Sequence, residues 1–325
     1  SKHGIQLTST PVLNIIANNT IRTQGSEDSN GGIRMDTSAS TNTVVGNTIT
    51  TNGTSSNYGI HVYISSTANA VRNNTVLTQG TSSSNVGIRI DTDSTNNTIA
   101  DNVVSTNSTN SGYGIMAIFT SHNNTFANNT IRTWGSEGSN IGIGLRNTAN
   151  GNTVINNRIN TNGTTSNYGI QLSTASSNTV VNNTIFAQGT TTQNIGIDLD
   201  TTVNNNIISS NTMSTQGSTD NYGIYLASTG DRNTIVNNTV NTNGTSSNYG
   251  IYLTTSITNT QVRNNTVHAK GLTTDNAGIR MVLATNNNVS NNDIDTNGTN
   301  SNYGIQLFNT NQNNFVRNNV INVRA

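Results

Sequence analysis

Apolar and polar residues alternate in short stretches that recur along the whole chain at an almost constant spacing. A Gly-Ile dipeptide returns every 26 to 28 residues, and the second residue after its isoleucine is always apolar, as Leu172 is after Ile170. This alternation is typical of a half-buried strand and not of a helix. The glycines of the twelve dipeptides are Gly4, Gly32, Gly59, Gly87, Gly114, Gly142, Gly169, Gly196, Gly223, Gly250, Gly278 and Gly304.

A second signature, Asn-x-apolar-x-x-Asn-x-apolar, follows each dipeptide and predicts two more strands. In the repeat that begins at Gly169 these strands are residues 178–180 and 183–185, which are short and rich in β-branched residues. The first asparagine is replaced once, by Thr260. The second asparagines are Asn19, Asn47, Asn74, Asn102, Asn129, Asn157, Asn183, Asn211, Asn238, Asn265, Asn292 and Asn319.

A polar loop closes each repeat, and it usually begins with glycine, as at Gly189. Ser108 replaces that glycine once. Because glycine adopts left-handed conformations without strain, we expect this position to need a positive φ.

Stacking of the repeats follows from their size. One repeat cannot bury its few apolar side chains, whereas identical stacked repeats place Ile on Ile and Val on Val, about 4.8 Å apart. The asparagines then form ladders of amide hydrogen bonds that satisfy the backbone at the bends. Because parallel crossovers are right-handed, the sequence predicts an all-β, right-handed, single-stranded parallel β-helix (a β-solenoid). It has twelve coils of about 27 residues in a single domain over 1–325, without separate caps.

The Asn-x-Ile-x-x-Asn-x-Ile spacing, which covers the whole chain, resembles the parallel β-helix repeat family of the pectate-lyase superfamily, including NosD-like and carbohydrate-related β-helix domains. The resemblance implies the fold. It leaves the function open, because the superfamily includes polysaccharide lyases and hydrolases, phage tailspikes, surface adhesins and proteins without catalytic activity.

Composition narrows the range of partners. The chain has 325 residues, of which 30% are hydrophobic and 9% charged, with zero net charge and no cysteine. Neutrality removes any electrostatic case for nucleic acid or an anionic membrane, and no apolar run is long enough for membrane insertion. Disulfides are excluded, and the four histidines share no column that would bind a metal. We expect no cofactor.

Carbohydrate chemistry has weak candidates on the outward side of the first strand. Asp198 and Asp200 point the same way, about 7 Å apart, a separation that suits an inverting glycosidase pair. Their neighbours on adjacent coils supply no base, arginine or third carboxylate. Enzymatic activity therefore stays open, with a non-catalytic protein favoured. Tyr225 and Tyr252 are candidates for a sugar platform, although ordinary cross-strand stacking is the favoured interpretation.

Glycosylation is the other candidate modification, because Asn-x-Ser/Thr sequences are abundant. Five occupy the same exposed loop position, where a glycan needs access. The alternative is that Asn-Gly is simply favourable turn chemistry. The loop candidates are Asn52, Asn107, Asn162, Asn243 and Asn297, and the next candidates are Asn18, Asn73, Asn128, Asn182 and Asn237.

The favoured function is structural: an extracellular or cell-surface glycoprotein whose subunits stack head to tail into a filament or array. Joining Ala325 to Ser1 of a second copy would nearly regenerate the repeat, so we expect a segment of a longer rod with itself as partner. The alternative is a carbohydrate-binding or polysaccharide-cleaving β-helix. Ice binding is a further alternative, suggested by an outward threonine column that includes Thr184 and Thr212 but has no second threonine column beside it.

Overall fold

The computed structural model describes residues 2–25 and 30–324. The join between Ala325 and Ser1 lies outside them. The described residues form strands and turns, and their contacts cluster into two compact units, Ser1–Asn162 and Gly163–Ala325. Each unit contains six coils with three strands per coil, and every strand pairs in parallel with its counterpart in the neighbouring coil of the unit. The parallel β-solenoid of twelve coils of about 27 residues is confirmed, while the single domain without caps stays a prediction.

In unit 1 the three strands of each coil belong to three separate parallel sheets. The first sheet contains β1 (His3–Leu7), β4 (Gly31–Asp36), β7 (Tyr58–Tyr63), β10 (Asn85–Asp91), β13 (Asn110–Ile118) and β16 (Glu137–Arg146). The second contains β2 (Ile15–Ala17), β5 (Thr43–Val45), β8 (Ala70–Arg72), β11 (Thr98–Ala100), β14 (Thr125–Ala127) and β17 (Thr153–Ile155). The third contains β3 (Thr20–Gln24), β6 (Thr48–Gly53), β9 (Thr75–Gly80), β12 (Val103–Ser108), β15 (Thr130–Gly135) and β18 (Arg158–Gly163).

Unit 2 repeats this arrangement and adds a small fourth sheet. Its first sheet contains β19 (Asn167–Ser173), β22 (Thr192–Asp200), β26 (Thr219–Leu226), β30 (Ser246–Thr254), β34 (Asn276–Val282) and β37 (Asn302–Phe308). Its second contains β20 (Thr179–Val181), β24 (Ile207–Ser209), β28 (Thr234–Val236), β32 (Gln261–Arg263), β35 (Asn288–Ser290) and β38 (Phe315–Arg317). Its third contains β21 (Thr184–Gly189), β25 (Thr212–Gln216), β29 (Thr239–Gly244), β33 (Thr266–Gly271), β36 (Asp293–Asn297) and β39 (Val320–Arg324), and the fourth contains β23 (Thr202–Asn204), β27 (Thr229–Asp231) and β31 (Ile257–Thr258).

The core of each unit consists of columns of like side chains. Ile60, Ile88 and Ile115 lie in register on successive strands of unit 1 and are fully buried. In unit 2, Ile170 pairs with Ile197 and is also fully buried, as the sequence predicts. Stacking of identical side chains therefore replaces the large mixed core of an ordinary domain, which explains how a chain with so few apolar residues folds.

The predicted asparagine ladder is present at the bend between the second and third sheets. The Asn102 side chain donates to Asn129 Oδ1 at 3.0 Å and to the Val71 carbonyl at 2.9 Å, and it accepts from both nitrogens of Asn74 at 3.0 Å. Each ladder residue thereby satisfies backbone groups of its own coil and the neighbouring coils. Buried polar groups at the bend are thus paired without solvent.

The first asparagines of the repeat signature form a second ladder, at the bend before the second sheet, and Thr260 interrupts it in unit 2. Asn206 donates from its backbone and its side chain to Asn233 Oδ1, but the shorter Thr260 side chain does not extend to Asn233 as an equivalent acceptor. Thr260 instead bonds locally to the Thr258 carbonyl at 3.2 Å.

We therefore expect Thr260→Asn to raise the free energy of unfolding by about 1–2 kcal/mol, because it completes the ladder. Urea denaturation measures this change. The exposed Thr274→Asn is the control for a general effect of added asparagine and should leave stability unchanged. A Thr260→Asn protein no more stable than the parent would contradict this account of the ladder.

The expectation of positive φ at the loop-start glycine is wrong. Among the described glycines, only Gly46, Gly138 and Gly151 have positive φ, and none of them begins the loop. A Cβ at Gly80 would instead lie 2.3 Å from the Asn85 amide atoms. Glycine is needed at this position because the Asn85 side chain occupies the space that a Cβ atom would fill.

Asn85 belongs to a third ladder that the sequence analysis overlooked. Its members lie two residues before ten of the twelve Gly-Ile glycines; Asn57, for example, donates to Asn85 Oδ1 at 2.7 Å. In the one coil that has Ser108 at the loop start, Gly112 replaces the ladder asparagine, and Asn85 donates to the Ser108 hydroxyl at 2.9 Å. The two replacements compensate each other, because the side chain gained at Ser108 takes space that the asparagine side chain lost at Gly112 leaves free. The ladder asparagines are Asn30, Asn57, Asn85, Asn140, Asn167, Asn194, Asn221, Asn248, Asn276 and Asn302.

Candidate functional site

The outward side of the first sheet in unit 2 carries a cavity of about 400 Å³. Strand β19 contributes Gln171, β22 contributes the predicted pair Asp198 and Asp200, and β26 contributes aromatic side chains. The outward side chains lie side by side because the strands pair in register, with Gln171 opposite Asp198 and Asp198 opposite Tyr225. The main polar and aromatic residues of the lining are Tyr168, Gln171, Gln193, Asp198, Asp200, Asp220, Tyr222 and Tyr225.

Three carboxylates line this cavity. Asp198 is almost completely buried and accepts a hydrogen bond from Gln171 Nε2 at 3.0 Å. Asp200 accepts from the Thr201 backbone at 2.7 Å. Asp220 accepts from the Tyr222 hydroxyl at 3.2 Å. The sequence predicts no third carboxylate near Asp198 and Asp200; this prediction is wrong, because Asp220 lines the same cavity.

A signal for Asp220 was present in the sequence. Most coils have serine at the equivalent position just before the third-ladder asparagine, such as Ser166 and Ser247, whereas two coils have Asp220 and Asp275. Aspartate at a serine position of an otherwise uniform repeat marks a local departure from the structural pattern. Asp220 precedes the Gly-Ile dipeptide of its coil, whereas the predicted site contains only strand positions after that dipeptide.

Four tyrosines of β26 and β30 form a compact aromatic cluster beside the carboxylates. The Tyr225 and Tyr252 rings stack with centroids 5.2 Å apart, and Tyr222 and Tyr249 stack at 5.3 Å. Burial, assisted by Tyr252 and by the carboxylates Asp198 and Asp200, raises the pKa of Tyr225 to about 12. The Tyr225 hydroxyl therefore stays protonated and available as a donor at neutral pH.

The aromatic cluster continues to an arginine on the next strand. The Arg280 guanidinium lies 4.7 Å from the centre of the Tyr249 ring and forms an ion pair with Asp275 at 2.8 Å. Tyr249 also donates to Asp275. These contacts fix the Tyr249 ring, which in turn holds the edge-on Tyr252 ring at 5.1 Å.

Unit 1 has a smaller polar cavity of about 230 Å³ on its own first sheet. The His61 ring lies between Tyr58 and Tyr63, at 4.8 and 4.9 Å, and its Nε2 is 3.5 Å from Asp91 Oδ2. Arg89 forms an ion pair with the same carboxylate at 2.6 Å. The full lining is His3, Arg34, Tyr58, His61, Tyr63, Arg89 and Asp91.

The charged side chains Arg89 and Asp91 of this smaller cavity neutralise each other. Burial lowers the pKa of His61, so the imidazole is neutral at pH 7. Burial alone would raise the pKa of Asp91, but His61 and the Arg89 charge hold it below its usual value. The ionised groups are thus paired with each other.

Within residues 2–25 and 30–324, no three His, Asp or Glu side chains are grouped as a metal would require. In the same part of the chain, no helix is long and apolar enough to cross a membrane.

The predicted glycosylation asparagines lie at or near the surface, but the five predicted in a loop lie at the ends of third-sheet strands β6, β12, β18, β29 and β36. Nine of the ten are exposed, and Asn107 is half-buried. The corner asparagines, for example Asn73 and Asn128, have left-handed φ values of 55°, which turn their side chains away from the buried ladder. The exposed nine are Asn18, Asn52, Asn73, Asn128, Asn162, Asn182, Asn237, Asn243 and Asn297.

The outward threonines on which the ice-binding alternative depends are in register. Thr184, Thr212 and Thr239 lie on successive strands of the third sheet. The next outward column contains Phe186 and Ser214. Ice binding stays a prediction without a second threonine column to support it.

The fold defines the class of protein, and a family comparison identifies the same class. The family described as "Right handed beta helix region" matches residues 1–141, 108–267 and 201–325. These matches cover the whole chain, so the chain belongs to the right-handed β-helix family. The resemblance carried by the asparagine and isoleucine spacing is confirmed.

Solved structures with the same kind of fold are distant in sequence. The Dettilon tailspike protein is 14% identical with a TM-score of 0.49, over 92% of this chain and 62% of the tailspike chain. The periplasmic alginate epimerase AlgG is 14% identical with a TM-score of 0.47, over 88% of this chain and 76% of the epimerase. PfbA, a surface adhesin of Streptococcus pneumoniae, is 10% identical with a TM-score of 0.42, over 87% of this chain and 83% of the adhesin. No curated protein sequence matches the chain.

Proposed function

We propose that this protein is an extracellular or cell-surface β-helix that binds neutral saccharides on the first sheet of unit 2. One observation carries the proposal: Asp198, Asp200 and Asp220 converge with Tyr222 and Tyr225 on a single cavity. Sugars offer hydroxyl groups that donate to carboxylates and accept from phenols, and their C–H faces contact aromatic rings. Such a cavity of about 400 Å³ is within the usual size of small-ligand sites.

The charge of the cavity selects among saccharides. The described residues that line it include three carboxylates and no arginine, lysine or histidine. A uronic acid or a sulfated sugar would place a second negative charge beside Asp198, which is already desolvated. Neutral hexose units avoid that repulsion.

Binding of neutral oligosaccharides is the first test. We expect calorimetry with neutral hexaoses of glucose, mannose or galactose to detect binding, and polygalacturonate hexaose to bind far more weakly. Tyr225→Ala and Asp198→Asn should each weaken binding at least about tenfold, or ~1.4 kcal/mol, because each removes a direct contact. Tyr63→Ala, in the cavity of unit 1, is the matched aromatic control and should have no effect.

Absence of binding by every neutral hexaose, or equal affinity in the parent and both cavity variants, would reject the proposal. The same incubations, assayed for new reducing ends, separate binding from cleavage. If the parent protein produces new reducing ends and the Asp200→Asn variant does not, the proposed function extends to hydrolysis.

N-glycosylation is a further part of the proposed function. What supports it is the exposure of the predicted asparagines, since an oligosaccharide cannot be attached to a buried amide. It also agrees with an extracellular or surface location. Its test is combined with the experiment of the next subsection.

We further propose head-to-tail self-association, which the sequence analysis favoured. Leu307, Val320 and Ile321 in strands β37 and β39 are 51%, 66% and 47% exposed, whereas Ile294, which is paired with Ile321, is fully buried. A second copy presenting its own coil would cover these side chains and pair the strand edges. Such a contact joins different surfaces and therefore propagates.

Sedimentation velocity at micromolar concentration should show species larger than one chain. Ile321→Lys should dissociate them, because it places a charge in the apolar column, while Val103→Lys at an exposed position of the same sheet type should not. A single-chain species at all concentrations would exclude self-association.

A further inference from the structure

Trp134 occupies an unusual place on the third sheet of unit 1. It is the single tryptophan of the chain, and it lies in an outward column that holds Asn107 in the preceding coil. Its side chain is 36% exposed. Elsewhere in unit 1 this column contains only asparagine and glutamine, which are small polar residues suited to a solvated strand. The indole therefore presents an aromatic face at a position where the other coils of unit 1 present polar side chains.

A cavity of about 190 Å³ lies beside the indole. It is lined by Arg132 and Thr133 from the same strand and by Asn160 and Asn162 from strand β18. Asn162 is exposed and begins the sequence Asn-Gly-Thr. The cavity therefore has an aromatic wall, a polar rim and a glycosylation acceptor within one small space.

We infer that the first sugar of a glycan on Asn162 occupies this cavity and packs its C–H face against the Trp134 indole. Neighbouring coils of a parallel β-solenoid lie about 4.8 Å apart, so outward side chains of adjacent coils lie at van der Waals separation. A pyranose ring attached to Asn162 thus lies within reach of the indole, which has the largest apolar face of any side chain. Arg132 and Asn160 offer donors to the hydroxyl and acetamido oxygens of the sugar.

The glycan would be attached to Asn162 by glycosyl transfer. The Asn162 amide nitrogen forms a bond to the anomeric carbon of a lipid-pyrophosphate oligosaccharide, the lipid pyrophosphate leaves, and the nitrogen loses one proton. The inference rests on the glycosylation part of the proposed function. It adds that one glycan, unlike the others, is ordered by the protein surface.

Asn107, on the other side of Trp134, is the competing acceptor. It is half-buried, and its side chain does not line the cavity. Asn162 is therefore the glycosylation acceptor whose first sugar would contact the Trp134 indole.

Trp134 fluorescence tests the inference directly, because no other tryptophan contributes to the emission. The full chain is expressed in a eukaryotic secretory host, and glycan occupancy at each asparagine is measured by peptide mass spectrometry. Removal of the glycans with peptide N-glycosidase should move the emission to longer wavelength and increase acrylamide quenching about twofold, because water and quencher then reach the indole. Asn162→Gln should reproduce both changes without enzyme treatment. Asn52→Gln, which removes a glycan from the same column three coils away from the indole, should reproduce neither.

The outcomes separate this inference from the broader proposal. An occupied Asn162 whose glycan can be removed without any change in emission or quenching overturns the inference. An empty Asn162 with occupied Asn52 and Asn243 also overturns it, but leaves glycosylation of the protein standing. An intact mass equal to the bare polypeptide, 34.3 kDa, rejects both.

Discussion

Replacement of Ile170 by Asp is expected to unfold the coils around it. Ile170 is fully buried on strand β19 and lies directly against Ile197 of the next coil. A carboxylate there has no hydrogen-bond donor or positive charge beside it in the apolar column, so it must ionise at a large cost or bind a proton. We expect the loss in free energy of unfolding to exceed about 4 kcal/mol, which few single substitutions reach.

Ile207→Asp provides the matched control. It makes the same chemical change on strand β24, but Ile207 points outward and is 43% exposed. Urea denaturation followed by circular dichroism should give a change within about 0.5 kcal/mol for this variant. Hydrogen exchange should localise the damage of Ile170→Asp to neighbouring coils, since repeats contact only their neighbours. Similar stability of the two variants would contradict the inward column.

Replacement of Asn129 by Asp is expected to have an effect of similar size on unit 1. The Asn129 side chain donates to the Ile99 carbonyl at 2.9 Å and to Asn157 Oδ1 at 3.0 Å, and its own oxygen accepts from Asn102. Aspartate has the same shape but cannot donate when ionised. It would leave the Ile99 carbonyl without its donor from this side chain and leave Asn157 Oδ1 with only the Asn129 backbone N–H, and it would place a negative charge against both oxygens. A loss of about 3–5 kcal/mol follows from breaking such a buried network.

The adjacent residue offers a control with the same substitution. Asn128 is exposed at the corner and has a φ of 55°, a conformation that aspartate also tolerates. Asn128→Asp in unglycosylated protein should therefore change the free energy of unfolding by less than about 0.5 kcal/mol. Thermal and urea denaturation of the two variants side by side measures the difference. Equal stabilities would mean that the ladder contributes nothing, because both changes add one charge at neighbouring positions.

The coil was predictable from sequence because each residue of a solenoid has copies of itself as neighbours. Once the Gly-Ile and asparagine series set the repeat, Ile170 had to face Ile197 and Asn102 had to face Asn129. These contacts could be assigned without knowing the conformations of the loops. The same logic would have found the third asparagine ladder, since Asn57 and Asn85 recur with the same period. The sequence prediction did not include it because the position precedes the Gly-Ile dipeptide, next to a loop that otherwise varies.

The candidate site was less predictable because it depends on departures from the repeat. Asp198, Asp200 and Tyr225 could be placed on one outward face by strand alternation. Asp220 lies before the Gly-Ile dipeptide of its coil, and periodicity does not say whether that residue points over the face or away from it. The structure begins strand β26 at Thr219, which brings the Asp220 carboxylate to the Tyr222 hydroxyl and into the cavity.

The sequence by itself determined the number of coils, their phase, the inward isoleucines and two of the three asparagine ladders. The physical reason is that the 27-residue period converts spacing along the chain into contact between neighbouring coils. Only the tertiary structure showed why glycine occurs at the loop start. Asn85 and its equivalents leave no space for a Cβ atom there, and the backbone does not have a positive φ. The tertiary structure alone also decided that three carboxylates share one cavity and that Trp134 lies beside Asn162, since these arrangements depend on how individual side chains fill space between the repeats.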